Sequence, residues 1–147
     1  MNSPLSIDRV LLVDDDADDR MFFQDAISEI NPAVVCELTS NGIEALTRLS
    51  SEPLPKMIFL DLNMPIMNGL DCLSEIKNRD TIKNIPVIIF TTTSDQHAMK
   101  RSYEMGAAAY FRKPNDFPSL MEKLKSLLIG EFKLLPLQDY SIRSFSI

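Results

Sequence analysis

A chain of 147 residues, 45% hydrophobic and 24% charged, has the composition of one soluble globular domain with room for a short appendage and none for a second folded unit. The formal net charge is −6 and the longest basic cluster is Lys100-Arg101, which argues against a nucleic-acid role. No stretch approaches the roughly 18 apolar residues of a membrane span, and residues 1–8 lack the blocks of a signal peptide.

Cys36 and Cys72 have neither metal-ligand spacing nor the density of a disulfide scaffold, so a cytoplasmic setting is expected, with both thiols as partly buried packing residues. In chain order, residues 9–13 (RVLLV) form an apolar run without alternation, as expected of a strand buried on both faces of a parallel sheet. A helix follows over 18–30, with Met21, Phe22, Ala26 and Ile30 as its buried stripe and Asn31-Pro32 as its stop. A weaker strand is predicted at 34–39. The next helix, 41–50, carries Ile43, Leu46 and Leu49, with Asn41 as N-cap. Residues 57–60 (MIFL) are the third strand and 70–78 the third helix. Residues 87–90 (VIIF) are the fourth strand; a helix over 95–105 ends at Gly106, a suitable C-terminal cap. A strand at 108–112 and a helix at 116–129 complete a (βα)5 order, which implies an α/β fold: a doubly wound, five-stranded parallel sheet covered on both faces.

In such sheets the functional crevice lies beyond the carboxyl ends of the strands. Asp14 and Asp15 follow RVLLV, Asp61 follows MIFL, Thr91 follows VIIF, and Lys113 follows the Tyr110-Phe111-Arg112 stretch. Four strands thus deliver three carboxylates, a hydroxyl and an ammonium to one rim. Carboxylates gathered this way either raise a pKa or take up a cation. A hard divalent ion such as Mg²⁺ suits an all-oxygen site with no His or Cys nearby. An Asp beside it can act as nucleophile toward a phosphoryl group, with Lys113 and Thr91 supplying a charge and a donor. Asp16, Asp18 and Asp19 open the first helix, where carboxylates favour the dipole, and are read as structural. His97 is read as a surface residue.

The segments VLLVDDD, FLDLNMPIMNG, FTTTSD and YFRKPND resemble those of the response-regulator receiver family, over about residues 8–129. The resemblance implies the flavodoxin-like (CheY-like) fold and makes Asp61 the phosphoacceptor. It assigns metal binding to the side chains of Asp15 and Asp61 and the backbone carbonyl of Asn63, with Asp14 acting through a metal-bound water. It also implies that Lys113 contacts the phosphoryl group and precedes a cis peptide bond to Pro114, that Thr91 is a switch hydroxyl, and that the Tyr110 ring moves into the space Thr91 vacates. The expected partners are a sensor histidine kinase or histidine phosphotransfer protein and a downstream protein target. Short receivers with such an acidic run are associated with phytochrome-type or hybrid kinases. One departure from the family pattern is Thr92, where a small Ala, Ser or Gly is usual; it is expected to narrow the path to Asp61.

Residues 130–147 extend beyond a complete receiver and are rich in Phe, Leu and Ile. They either pack on their own domain or dock on a partner or second copy, and a homodimer through them or through helix 4, strand 5 and helix 5 is an open alternative. Two other readings compete. A metal-dependent phosphatase of the haloacid-dehalogenase kind would place its nucleophile in an Asp-x-Asp pair after the first strand. A pseudo-receiver would keep the fold without the chemistry. The chain is expected to be a phosphoacceptor with weak self-hydrolysis rather than an enzyme.

Overall fold

Five short segments form the strands β1 (Arg9–Val13), β2 (Val35–Thr39), β3 (Met57–Leu60), β4 (Val87–Thr91) and β5 (Ala109–Arg112). The computed structural model describes residues 7–93 and 95–128, so the end of the predicted domain at residue 129 and the extension at 130–147 lie outside the described residues. All strand pairs are parallel and the order across the sheet is β2-β1-β3-β4-β5. The reversal of winding falls between β1 and β3, where open α/β sheets leave a crevice at the carboxyl ends of the strands.

Helices α1 (Ala17–Ile30), α2 (Gly42–Arg48), α3 (Gly69–Lys77), α4 (Gln96–Glu104) and α5 (Phe117–Leu128) alternate with the strands. The period-2 geometry of the central strands divides the core in two. Leu11, Val13, Ile58 and Leu60 point toward α2, α3 and α4. Val10, Leu12, Met57 and Phe59 point toward α1 and α5. Each fully buried Val, Leu, Ile or Phe contributes about 1.5–3 kcal/mol, so both faces of the sheet must be covered.

The helix ends follow side-chain chemistry. Asp16, Asn41, Asn68 and Asp95 cap α1 to α4, each accepting a backbone N–H from the first turn. Asp116 accepts the Ser119 N–H at 2.8 Å at the start of α5. At the end of α4, Gly106 N–H donates to Tyr103 O and Ala107 N–H to Ser102 O. That double closure needs a left-handed residue, and Gly106 has φ +104°.

The strands and helices lie within two residues of their predicted bounds, but two buried stripes differ. On α1 the inward residues are Phe23, Ala26 and Ile27, whereas Met21 and Phe22 are 65% and 55% exposed. Phe23 sits edge-on to Phe59 and Phe90, with centroids 4.9 and 5.8 Å away. On α2, Ile43 is exposed while Gly42, Ala45, Leu46 and Leu49 face inward. Gly42 is inward because Met67 packs on it; an added Cβ would lie 2.8 Å from the Met67 Sδ. His97 is exposed, as expected; Cys36 is half-buried and Cys72 fully buried, with burial first among the causes that push both thiols up to about 12.

Candidate functional site

The parallel ladders continue one residue beyond the strand ends and carry the polar residues with them. Asp14 N–H donates to Thr39 O at 3.0 Å, Asp61 N–H to Val13 O at 3.0 Å, and Lys113 N–H to Thr91 O at 2.8 Å. Each side chain therefore leaves a backbone that the sheet already holds. The carboxylates of Asp14, Asp15 and Asp61 converge so that one oxygen from each lies within 4.8 Å of the others. Asp14 and Asp61 are buried and Asp15 is exposed.

Lys113 Nζ lies in the same cluster, 2.6 Å from Asp14 Oδ2, 2.8 Å from Asp19 Oδ2 and 3.2 Å from Asp61 Oδ2. Three carboxylates against one ammonium leave a net −2 among Asp14, Asp15, Asp61 and Lys113. Two like charges at the observed separation repel by roughly 3–4 kcal/mol at an effective dielectric near 20. Burial pushes the Asp14 carboxyl up to about 6, against the hydrogen bonds of Lys113 and of the Asp16 N–H. Burial also opposes the charge on Lys113, but its bonds to Asp14 and Asp19 and the Asp61 charge win, and its pKa stays above the ordinary lysine value.

The donor set is all hard oxygen, and its residual negative charge is what a divalent cation offsets; the cluster fits such an ion. Asn63, two residues past Asp61, directs its N–H to Asp61 Oδ1 at 3.3 Å. Thr91 is fully buried, and its Oγ1 has no hydrogen-bond partner among the described residues. A buried hydroxyl without a partner is costly, and this one belongs to the residue that ends β4 at the same rim. Tyr110 is already inside: it is fully buried and its hydroxyl donates to Thr93 O at 2.9 Å. Burial is the first cause raising its phenol to about 12. Thr92 is exposed and lines a cleft of about 290 Å³ together with Asp19, Phe22, Lys113 and Phe117.

The family model described as "Response regulator receiver domain" matches residues 10–125. The chain belongs to the response-regulator receiver family. It is 31% identical over 120 residues to the chemotaxis protein CheY1 of Helicobacter pylori, covering 82% of this chain and 96% of the relative. It is 32% identical over 119 residues to the polar-differentiation response regulator DivK of Brucella anthropi, covering 81% and 94%. Among solved structures it resembles the phosphorylated cyanobacterial phytochrome response regulator RcpA, with a TM-score of 0.77 at 28% identity, covering 86% of this chain and 94% of that one. The Mn²⁺-bound form of the response regulator Rcp1 matches with a TM-score of 0.70 at 29% identity, covering 85% and 93%. The chain is thus a receiver domain of a response regulator of two-component signalling, with the CheY-like doubly wound sheet.

Three features at this receiver's site lie beyond the sequence reading or differ from it. Asp19 lies in the first turn of α1, as the sequence reading has it, and in addition reaches Lys113 Nζ at 2.8 Å. Gly69, the first residue of α3, was not singled out, yet an added Cβ there would lie 2.3 Å from Asp61 O and 2.5 Å from Leu62 Cα. Its N–H also donates to Leu62 O at 2.9 Å, so the backbone after Asp61 is held against it. The cis bond expected at Lys113-Pro114 is absent; the cis X-Pro bond among the described residues is Glu52-Pro53. Trans is the default by about 0.5–1 kcal/mol, and Lys113-Pro114 takes it.

Proposed function

We propose that this receiver accepts a phosphoryl group on Asp61 from a sensor histidine kinase or a histidine phosphotransfer protein. The observation that carries the reading is one ammonium, Lys113, lying 3.2 Å from a buried strand-end carboxylate, Asp61, inside a three-carboxylate cluster. In transfer, an Asp61 carboxylate oxygen forms a bond to phosphorus as the phosphorus–nitrogen bond of the donor phosphohistidine breaks. The electron pair of that bond leaves on the imidazole.

Lys113 offsets charge on the transferred group, and the free Thr91 hydroxyl donates to one of its oxygens. Mg²⁺ would be held by Asp15 and Asp61, with the backbone carbonyl of Asn63, and by Asp14 through water. When bound it would supply positive charge to offset that on the phosphoryl oxygens. The same residues support slow hydrolysis of the acyl phosphate, as a return to the resting state and not as turnover of a substrate.

The added charge of about −1.5 to −2 draws the Thr91 hydroxyl toward the site and moves the following segment. That segment is tied to Tyr110 through the Thr93 carbonyl, so the surface of α4, β5 and α5 changes with it. Output is then phosphorylation-dependent binding of a downstream protein, or self-association through that surface or the extension, in the cytoplasm. The test is to incubate the protein with Mg²⁺ and acetyl phosphate and follow intact mass. One phosphoryl group is expected, absent in Asp61→Asn and in chelator; no gain with metal bound would favour a pseudo-receiver.

A further inference from the structure

We propose that Asp19 is a positioning residue that holds the Lys113 ammonium in the resting protein and releases it when a phosphoryl group occupies Asp61. This rests on the phosphoacceptor reading above. A lysine ammonium has three protons to donate. Here it donates to Asp19 at 2.8 Å and to Asp61 at 3.2 Å, and it is ion-paired with Asp14 Oδ2 at 2.6 Å. The resting lysine is therefore held more closely by Asp14 and Asp19 than by the acceptor itself. A phosphoryl oxygen on Asp61 adds a further anion that competes with these carboxylates for the same ammonium.

The three partners differ in what their release costs. The Asp14 side chain is 0% exposed, so water does not replace the lysine there. Asp61 carries the incoming group. The Asp19 side chain is 36% exposed, so water replaces the lysine at little cost. Its backbone need not move, because Asp19 N–H stays on the Asp16 Oδ1 cap at 2.9 Å. Asp19 and Lys113 also line the same 290 Å³ cleft, which gives the carboxylate room to turn away. The phosphoryl charge attracts Lys113 and repels Asp19, and both forces open the same contact.

Asp19 consequently competes with the phosphoryl group for one lysine proton, and removing its charge favours the occupied state. One ion pair of this exposure is worth about a two- to fivefold change in equilibrium. The neighbouring Asp18 is exposed and makes no ion pair with Lys113, so Asp18→Asn removes the same formal charge without touching the contact.

The test is calorimetric titration of the full chain with beryllofluoride, a phosphoryl mimic, at saturating Mg²⁺. The wild type, Asp19→Asn, Asp19→Glu and Asp18→Asn are compared, with urea unfolding of each alongside. Asp19→Asn should bind about two- to fivefold more tightly, with Asp19→Glu and Asp18→Asn close to wild type. A merely structural role for Asp19 would lower stability without tightening the mimic. Equal or weaker binding by Asp19→Asn, or an equal gain in Asp18→Asn, overturns the latch while leaving the phosphoacceptor reading intact. A wild type that binds Mg²⁺ but no beryllofluoride overturns both.

Discussion

Replacing Lys113 by methionine keeps the aliphatic stem and deletes the charge, and its cost can be worked from the contacts. The ammonium is in a side chain only 9% exposed and serves Asp14 and Asp61, whose side chains are 0% and 7% exposed. Removing one partner of a buried pair costs about 3–5 kcal/mol, and the half-open Asp19 contact adds about 0–1 kcal/mol. At about pH 8, in chelator, a loss of about 3–6 kcal/mol is expected, which lowers the urea midpoint by roughly 1.5–3 M. The loss should shrink at about pH 5. There the Asp14 carboxyl, already pushed up to about 6, is mostly protonated and no longer strands a charge. Added Mg²⁺ should recover part of the loss at the higher pH, because a second cation offsets the same carboxylates. A loss under about 1 kcal/mol at the higher pH, the worth of a surface pair, or an equal loss at both pH values, would refute the reasoning.

Three further outcomes follow from the same geometry. Without metal, Asp14 makes stability fall as pH rises from 3.8 toward about 6, because its folded pKa lies above its ordinary value. Asp14→Asn should flatten that slope in a pH series of urea melts, and an unchanged slope would assign it elsewhere. Gly69→Ala drives a Cβ to 2.3 Å from Asp61 O, so it should cost at least about 1–3 kcal/mol and slow acetyl-phosphate labelling; wild-type stability and rate would contradict it. Phe23→Ala should cost about 3–5 kcal/mol while Met21→Ala stays within about 0.5 kcal/mol, and comparable losses would mean that the buried face of α1 is misassigned.

Strands β1, β3 and β4 could be read because they are buried almost throughout and so appear as unbroken apolar runs, whereas β2, VCELT, is half-buried to exposed and gave only a weak signal. The residue after each run then marks the rim, and Asp14, Asp15, Asp61, Thr91 and Lys113 were found this way. The face of α1 could not be read in the same manner. Met21, Phe22 and Phe23 are consecutive and apolar, and helical spacing alone accepts more than one register; contact with Phe59 and Phe90 selects Phe23. The Asp19–Lys113 bond joins positions 94 residues apart, and nothing local announces it. Gly69 did leave a signal, since an Asn-Gly step after a strand-end loop marks a place where backbone must pass close.

The most direct test of the central claim is to find which atom carries the phosphoryl group. After reaction with acetyl phosphate and Mg²⁺, borohydride reduces an acyl phosphate to an alcohol, turning a phosphorylated aspartate into homoserine. Peptide mapping should then show homoserine at position 61 alone, with none when the donor is omitted. Homoserine at Asp14 or Asp15, or a phosphoryl group that survives borohydride on a hydroxyl such as Thr91, would contradict the assignment of Asp61.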